Sequence, residues 1–280
     1  MAEGPLTLRE VLGRTVEHLT ARGIVSPRLD AELLLGKALG LERIEVYMHL
    51  DRPLAADELD RLRALVARRA AREPLQYILG EWGFRRLRLK VDARALVPRP
   101  ETEIVVERCL ALLAGCDAPR ILDVGVGSGA IALALASEHP GARVSGLDVS
   151  PGALALAREN AEALAIPLQL VEGDLRAGLP AGPWTLIVSN PPYVSRADEP
   201  GLEPEVREHE PALALYGAGL HELIAMAALT VLEPGGALVF EVGEGQADAV
   251  AGTLARLGYS AVEVTPDLAG RDRVVEGRRG

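Results

Sequence analysis

An α/β fold built on a parallel, doubly wound sheet and preceded by a small helical bundle is what this sequence predicts, on three observations. Helical periodicity dominates residues 1–74. From residue 120 onward, short apolar runs alternate with helical patterns, as parallel strands linked by crossover helices require. A glycine-rich turn joins the first of those runs to the helix that follows it. The chain has 280 residues, 49% hydrophobic and 25% charged, enough for one large or two unequal cores and incompatible with wholesale disorder.

The elements follow in order. Thr7 and Glu10 form a capping box, Leu8, Val11, Leu12, Thr15 and Leu19 follow at helical spacing, and Gly23 stops the run. Ser26-Pro27 opens a second helix ending at Gly40, a third covers Leu41 to Leu50 before Pro53, and a fourth runs from Ala55 through Leu59, Leu62, Leu65 and Val66 toward Pro74. From Trp82 the period changes. Trp82, Phe84, Leu87, Leu89 and Val91 form one extended stretch and Ala95 to Val97 another, together predicting a bridging β-hairpin. Cys109 and Cys116 fall in a helical pattern. Their seven-residue spacing gives a rise of roughly 10 Å, beyond a disulfide's reach, so both are expected as reduced thiols.

Strands are expected at Arg120 to Val124, Arg143 to Leu147, Leu168 to Val171 and Thr185 to Ser189, with helices from Ser128 and from Ser150-Pro151. A helix over Leu220 to Leu232, a strand at Ala237 to Glu241, a helix over Gln246 to Leu257 and strands at Ala261 to Val264 and Arg273 to Val275 complete the sheet. The last two strands have no helix between them and are expected to be antiparallel. The predicted domains are a helical, substrate-docking bundle at 1–74, a linker and hairpin at 75–100, and a catalytic domain at 101–280.

The formal net charge of −10 argues against a coat for nucleic acid or an anionic membrane. Residues 1 to 90 hold 16 basic and 13 acidic side chains, so the acidity belongs to the remainder, which is net −13. No basic leader precedes an apolar stretch, and no run approaches a membrane span. A cytoplasmic, monomeric protein without stable nucleic-acid or membrane association is expected, and no Cys or His spacing suits a metal.

Residues 121–136, ILDVGVGSGAIALALA, read as strand, turn and helix. Gly125, Gly127 and Gly129 let a ligand approach the backbone between Val126 and Ser128, and the helix amino end offers free N–H groups. The alternatives are a merely tight turn, or a dinucleotide loop, although the third glycine comes one residue early for that fingerprint. Asp148 ends the second strand, where one carboxylate accepts from both ribose hydroxyls of an adenosine ligand. Asp174, followed by Leu175, is placed to meet the base or else to cap a turn. In LIVSNPPYV, residues 186–194, a buried strand ends at Asn190 and the stiff Pro191-Pro192-Tyr193 loop follows at the sheet's carboxyl edge. An Asn side-chain carbonyl and a neighbouring backbone carbonyl make two acceptors for one NH₂ group, and Tyr193 offers a face for stacking.

These motifs, with EPLQYILGEWGF (73–84), LVPRPETE (96–103) and EPALALYGAGL (210–220), resemble the peptide chain release factor glutamine methyltransferases of the PrmC/HemK family. The resemblance spans nearly the whole chain. It implies a Rossmann-like fold of seven strands, the last antiparallel, that binds S-adenosylmethionine. It further implies that the glycine loop (Gly125, Val126, Gly127, Ser128, Gly129), Asp148, Asp174 and Leu175 hold the cofactor. Asn190 would lie between cofactor and substrate, and Asn190, Pro191, Pro192 and Tyr193 would grip a glutamine of a release factor. One departure is Leu175, where an aromatic is expected against the adenine. The five histidines form no cluster with the motif, so orientation of the amide is expected to replace a strong base. Arg61, Arg63, Arg68, Arg69 and Arg72 are expected either to dock an acidic partner or to form a solvated face, and the acidic stretch from Ala197 to Glu210 to form a lid or a solvated loop. Competing functions are methylation of a ribosomal-protein glutamine, methylation of an adenine amino group, and a non-catalytic adenosine-binding module.

Overall fold

The computed structural model describes residues 6–280. The described residues divide into two compact units, one of residues 6–80 with 203–209, the other of residues 81–202 with 210–280.

The first unit is helical. α1 (Leu8–Ala21) begins at the Thr7/Glu10 capping box, and α2 (Pro27–Leu39) ends at Gly40, whose φ of 67° is left-handed. α3 spans only Arg43–Met48. It starts later than expected because the Leu41 amide bonds back to the Gly36 carbonyl at 2.9 Å, closing α2, and the Glu42 amide donates to the Glu45 carboxylate to open a new helix. α4 (Ala56–Ala70) is followed by α5 (Leu75–Leu79), a single turn behind Pro74 that buries Leu75, Tyr77 and Ile78 and is too short to show periodicity in sequence. α9 (Pro204–His209) joins this unit through Glu205. Leu8, Leu19, Leu34, Leu35 and Val46 form the fully buried centre of its core.

The second unit opens with an antiparallel hairpin of β1 (Glu81–Phe84) and β2 (Leu87–Lys90). Both of its strands come from the stretch expected to supply one. The chain reverses at Arg85, whose φ is +50°, and the Arg85 guanidinium is paired with Glu138. Ala95 to Val97 are therefore no strand: Asp92 turns the chain by accepting the Arg94 amide, and Pro98 brings no N–H to a ladder. α6 (Thr102–Leu112) holds Cys109, whereas Cys116 lies past its end. Both thiols are free.

Then come β3 (Arg120–Val124), α7 (Ala130–Glu138), β4 (Arg143–Asp148), α8 (Pro151–Leu164), β5 (Gln169–Glu172) and β6 (Trp184–Ser189). After them follow α10 (Ala212–Leu215), α11 (Leu220–Val231), β7 (Leu232–Glu241), α12 (Ala247–Arg256), β8 (Ser260–Pro266) and β9 (Asp272–Arg278). The seven-stranded sheet has the order β5-β4-β3-β6-β7-β9-β8, parallel through β7 and antiparallel over its last two pairings. β7 begins five residues earlier than its apolar run, because Leu232 already pairs with Trp184 before the register shifts. Central strands β3 and β6 are buried on both faces, Ile121, Leu186 and Val188 packing against α6 and α7, Leu122 and Ile187 in the core on the other face. The chain goes one way from β3 to β4 and the other way to β6. That reversal leaves a crevice at the carboxyl ends of β3 and β6, where such sheets bind ligands.

Candidate functional site

At that crevice the structure opens a cavity of about 200 Å³, lined entirely by residues between Arg94 and Leu220. Its floor is the glycine-rich turn. Gly125, Gly127 and Gly129 all adopt positive φ, 79°, 54° and 87°, so α7 starts at Ala130 and not at Ser128. The Gly125 and Val126 amides bond to the Leu147 carbonyl, binding the turn to β4. A Cβ at Gly127 would meet only Ala95 Cβ and the Gly125 carbonyl oxygen, both at 3.9 Å, whereas one at Gly129 would touch Leu133 at 3.0 Å and Ala157 at 3.4 Å. Gly127 thus leaves room for a ligand, and Gly129 serves helix packing. Gly125, Val126, Gly127 and Ser128 line the cavity; Gly129 does not.

Asp148 lines the cavity at the end of β4, with both oxygens anchored: Oδ2 accepts the Gly127 amide and Oδ1 the Ser150 amide, each at 2.9 Å. The helix cap of α8 is supplied by Ser150, which accepts the Ala153 amide. Asp148 is therefore held rigidly with lone pairs free for a ligand. Asp174 both lines the cavity and accepts the Arg176 amide at 2.9 Å, so the turn-capping role and the wall position coexist. Leu175 also lines it, presenting an aliphatic surface.

Asn190 and Pro192 also line the cavity. Pro191 is buried outside the lining. Tyr193 is also outside it: its ring packs against Gly243, its carbonyl accepts from Gln246, and burial pushes its phenol up to about 12. Among the described residues, the aromatic ring that does face the cavity is that of Tyr216, with the Arg196 guanidinium 4.0 Å from its centre. Val194 pairs with Tyr216 and its amide bonds to the Leu215 carbonyl, which sets the ring beside the Asn190 loop.

Sequence reasoning missed several residues. Asp123 lines the cavity, is 1% exposed, and has one oxygen accepting the Ala132 amide while Oδ1 has no partner. Burial pushes its carboxyl up to about 7, with Asp148 adding to the rise. An unpartnered buried carboxyl oxygen on a cavity wall suits a cationic ligand. Its signal was an acid inside a buried strand. Thr102 lines the cavity and donates to Glu241 at 2.6 Å. Asn160 accepts the Lys90 amide and donates to the Lys90 and Ser128 carbonyls, tying the loop to the hairpin. Nothing in a lone helical Asn announces that role. The segment Arg94 to Arg99, expected to be partly strand, forms another side of the cavity.

The five arginines of the bundle are ion-paired within their unit: Arg61 to Asp57, Arg63 to Asp60, Arg68 to Glu73, Arg69 to Asp30 and Glu205, Arg72 to Glu205. They are no free basic row. The acidic stretch is partly buried as well, Glu205 through those pairs and Glu210 by accepting both bonds of Arg99 at 2.8 Å. Among the described residues no cluster suits a metal ion, and no helix is long and apolar enough to cross a membrane.

Comparison with known proteins adds three findings. Residues 10–80 match the family described as PrmC N-terminal domain, and residues 102–203 the one described as methyltransferase small domain. The release factor glutamine methyltransferase of Geobacter sulfurreducens is 47% identical over 278 residues, covering 98% of this chain and 97% of that protein. That of Deinococcus radiodurans is 45% identical over 278 residues, covering 98% and 99%. In fold, the chain is similar to the 16S rRNA N2 G1207 methyltransferase of T. thermophilus, solved with AdoMet and guanosine. The TM-score is 0.53 at 19% identity, over 71% of this chain and 50% of that one.

Proposed function

The chain belongs to the release factor glutamine methyltransferases, and on that premise we propose that it transfers a methyl group from S-adenosylmethionine to a glutamine side-chain amide nitrogen of a peptide chain release factor. The observation that carries this reading is the convergence of the glycine turn, Asp148 and Asn190 on one cavity at the reversal of strand order.

The residues present fit the cofactor. Asp148, with both oxygens already oriented, would accept from ribose hydroxyls; the Gly127 backbone would allow a close approach; Asp174 and Leu175 would border the base; and the orphaned Asp123 oxygen would suit the cofactor's positive charge. Bound there, S-adenosylmethionine supplies a methyl group already activated on a sulfonium. What remains for the protein is to aim an amide nitrogen and to tolerate positive charge growing on it. Asn190 Oδ1, on the cavity wall, would accept one amide N–H bond and so leave the nitrogen lone pair for the methyl, while Pro191, buried outside the lining, would hold the loop that carries Asn190. Pro192 and Tyr216 wall in the substrate side chain, and Tyr193 stiffens the loop from behind. No histidine lines the cavity; His221, its pKa lowered by burial, bonds the Glu241 carbonyl instead.

We assign 1–74 to substrate docking and 101–280 to catalysis, with 75–100 between them, because the bundle contributes no residue to the cavity. A single copy suffices, since the cavity is complete within one chain, and a cytoplasmic setting follows from a release factor substrate. The net −13 of residues 91–280 favours protein over nucleic acid as substrate.

The test offers labelled cofactor with a release factor, ribosomal proteins and duplex DNA in separate reactions. Label in the release factor, lost when its acceptor glutamine is replaced, is expected. Label in DNA alone would overturn the proposal.

A further inference from the structure

Glu241 closes β7, a strand whose preceding residues Ala237 to Phe240 are all buried and apolar, and is itself 2% exposed. A carboxylate in such a place is costly unless it is hydrogen-bonded. Thr102, at the start of α6 and 4% exposed, donates its hydroxyl to Glu241 Oε2 at 2.6 Å. Asn190, just after β6, points its Nδ2 at the Thr102 hydroxyl oxygen at 3.5 Å. Three chain segments far apart in sequence therefore end on one chain of hydrogen bonds, of which only Asn190 and Thr102 reach the cavity.

The polarity of that chain is determined at its buried end. An ionised carboxylate only accepts, so Thr102 must donate to it. The threonine oxygen then only accepts, and it selects the NH₂ end of the Asn190 amide. Asn190 Oδ1 is thereby left toward the cavity as an acceptor. We propose that Thr102 and Glu241 are positioning residues that fix the Asn190 side chain in the one amide orientation able to accept the substrate N–H. This rests on the reading of Asn190 given above and deepens it.

Protonation at Glu241 reverses the logic. A neutral carboxyl can donate to Thr102, Thr102 can donate to Asn190 Oδ1, and the amide turns its NH₂ to the cavity, where it meets the substrate's own N–H bonds. The groups facing Glu241 are Arg273 on β9 and Glu101 before α6, Tyr193 after β6, and His221 on α11, whose ring bonds the Glu241 carbonyl. Burial outweighs the Thr102, Arg273 and Asn190 contributions and pushes Glu241 up to about 7. Turnover should thus fall as pH drops through about 7.

The test measures kcat at saturating cofactor, where the titration of Asp123 against cofactor binding drops out, together with cofactor Kd as the check on folding. Thr102→Val should lower kcat about tenfold, the worth of one misdirected hydrogen bond, with Kd unchanged, and Thr102→Ser should restore most of it. Glu241→Gln, whose amide oxygen can accept from Thr102 without titrating, should flatten the acid limb. Near-normal kcat in Thr102→Val, or an acid limb that persists in Glu241→Gln, overturns the inference. Asn190→Ala is run in parallel: if it keeps its turnover, the role of Asn190 itself fails, whereas loss in Asn190→Ala without loss in Thr102→Val removes only the positioning role.

Discussion

Asp148 shows how much one side chain can be asked to do. Its carboxylate is already bonded to the Gly127 and Ser150 amides, so the same group that shapes the turn presents lone pairs to the cavity. Asp148→Ala should weaken cofactor binding about 10- to 100-fold, the scale of one or two hydrogen bonds to a charged acceptor, with the fold retained; calorimetric titration with the cofactor or its demethylated product checks this. Residue types and spacing made Asp148, Asn190 and the glycines legible in the sequence. Tyr193 illustrates the opposite case. A loop aromatic reads as a stacking surface, but which way it faces depends on Gly243 and Gln246, fifty residues on. Tyr216, on another segment, occupies the cavity wall instead.

Elements carry constraints that no single residue does. β4 must pass directly under the glycine turn, and it does so at Gly146, where an added Cβ would lie 2.6 Å from Val126 Cγ2. Gly146→Ala should cost about 1–3 kcal/mol of overpacking and also weaken cofactor binding, because Val126 can give way only by moving the turn. Adding Val126→Ala should recover part of both losses, a coupling that urea denaturation of the four proteins of the cycle would measure. From β3 to β6 the alternation of strand and helix was readable because short, largely apolar runs alternate with helices that follow turn signals. The hairpin was misplaced for an equally physical reason: Arg85 and Arg86 give no turn signal, and the reversal is held by ion pairing of Arg85 to Glu138, which lies on α7. α5 escaped because one helical turn has no period to detect.

At the scale of the whole chain, the bundle is closed by a buried ion-pair cluster drawn from three places in sequence. Arg69 bonds Asp30 at 2.7 Å and Glu205 at 2.8 Å, all three nearly excluded from solvent. Arg69→Met should destabilise this unit by about 3–5 kcal/mol, since it strands the buried Asp30 carboxylate and leaves Glu205 with Arg72 alone, and the midpoint of its thermal unfolding should drop accordingly. Replacing Asp30 and Glu205 by apolar residues in the same variant should return much of the loss. The sequence showed five arginines and a run of acids and left their use open; only the folded chain pairs Arg69 and Arg72 with Glu205 of that run and the other three with acids of the bundle itself. By itself the sequence determined the layer architecture, the position of the glycine turn and the place of Asn190 just past β6, because periodicity, glycine dihedrals and turn signals are local properties. The tertiary structure decided which face Tyr193 shows, that Asp123 keeps a free oxygen, and that Thr102 and Glu241 stand behind Asn190. Those depend on contacts between segments far apart in sequence, whose distances and burial no local pattern encodes.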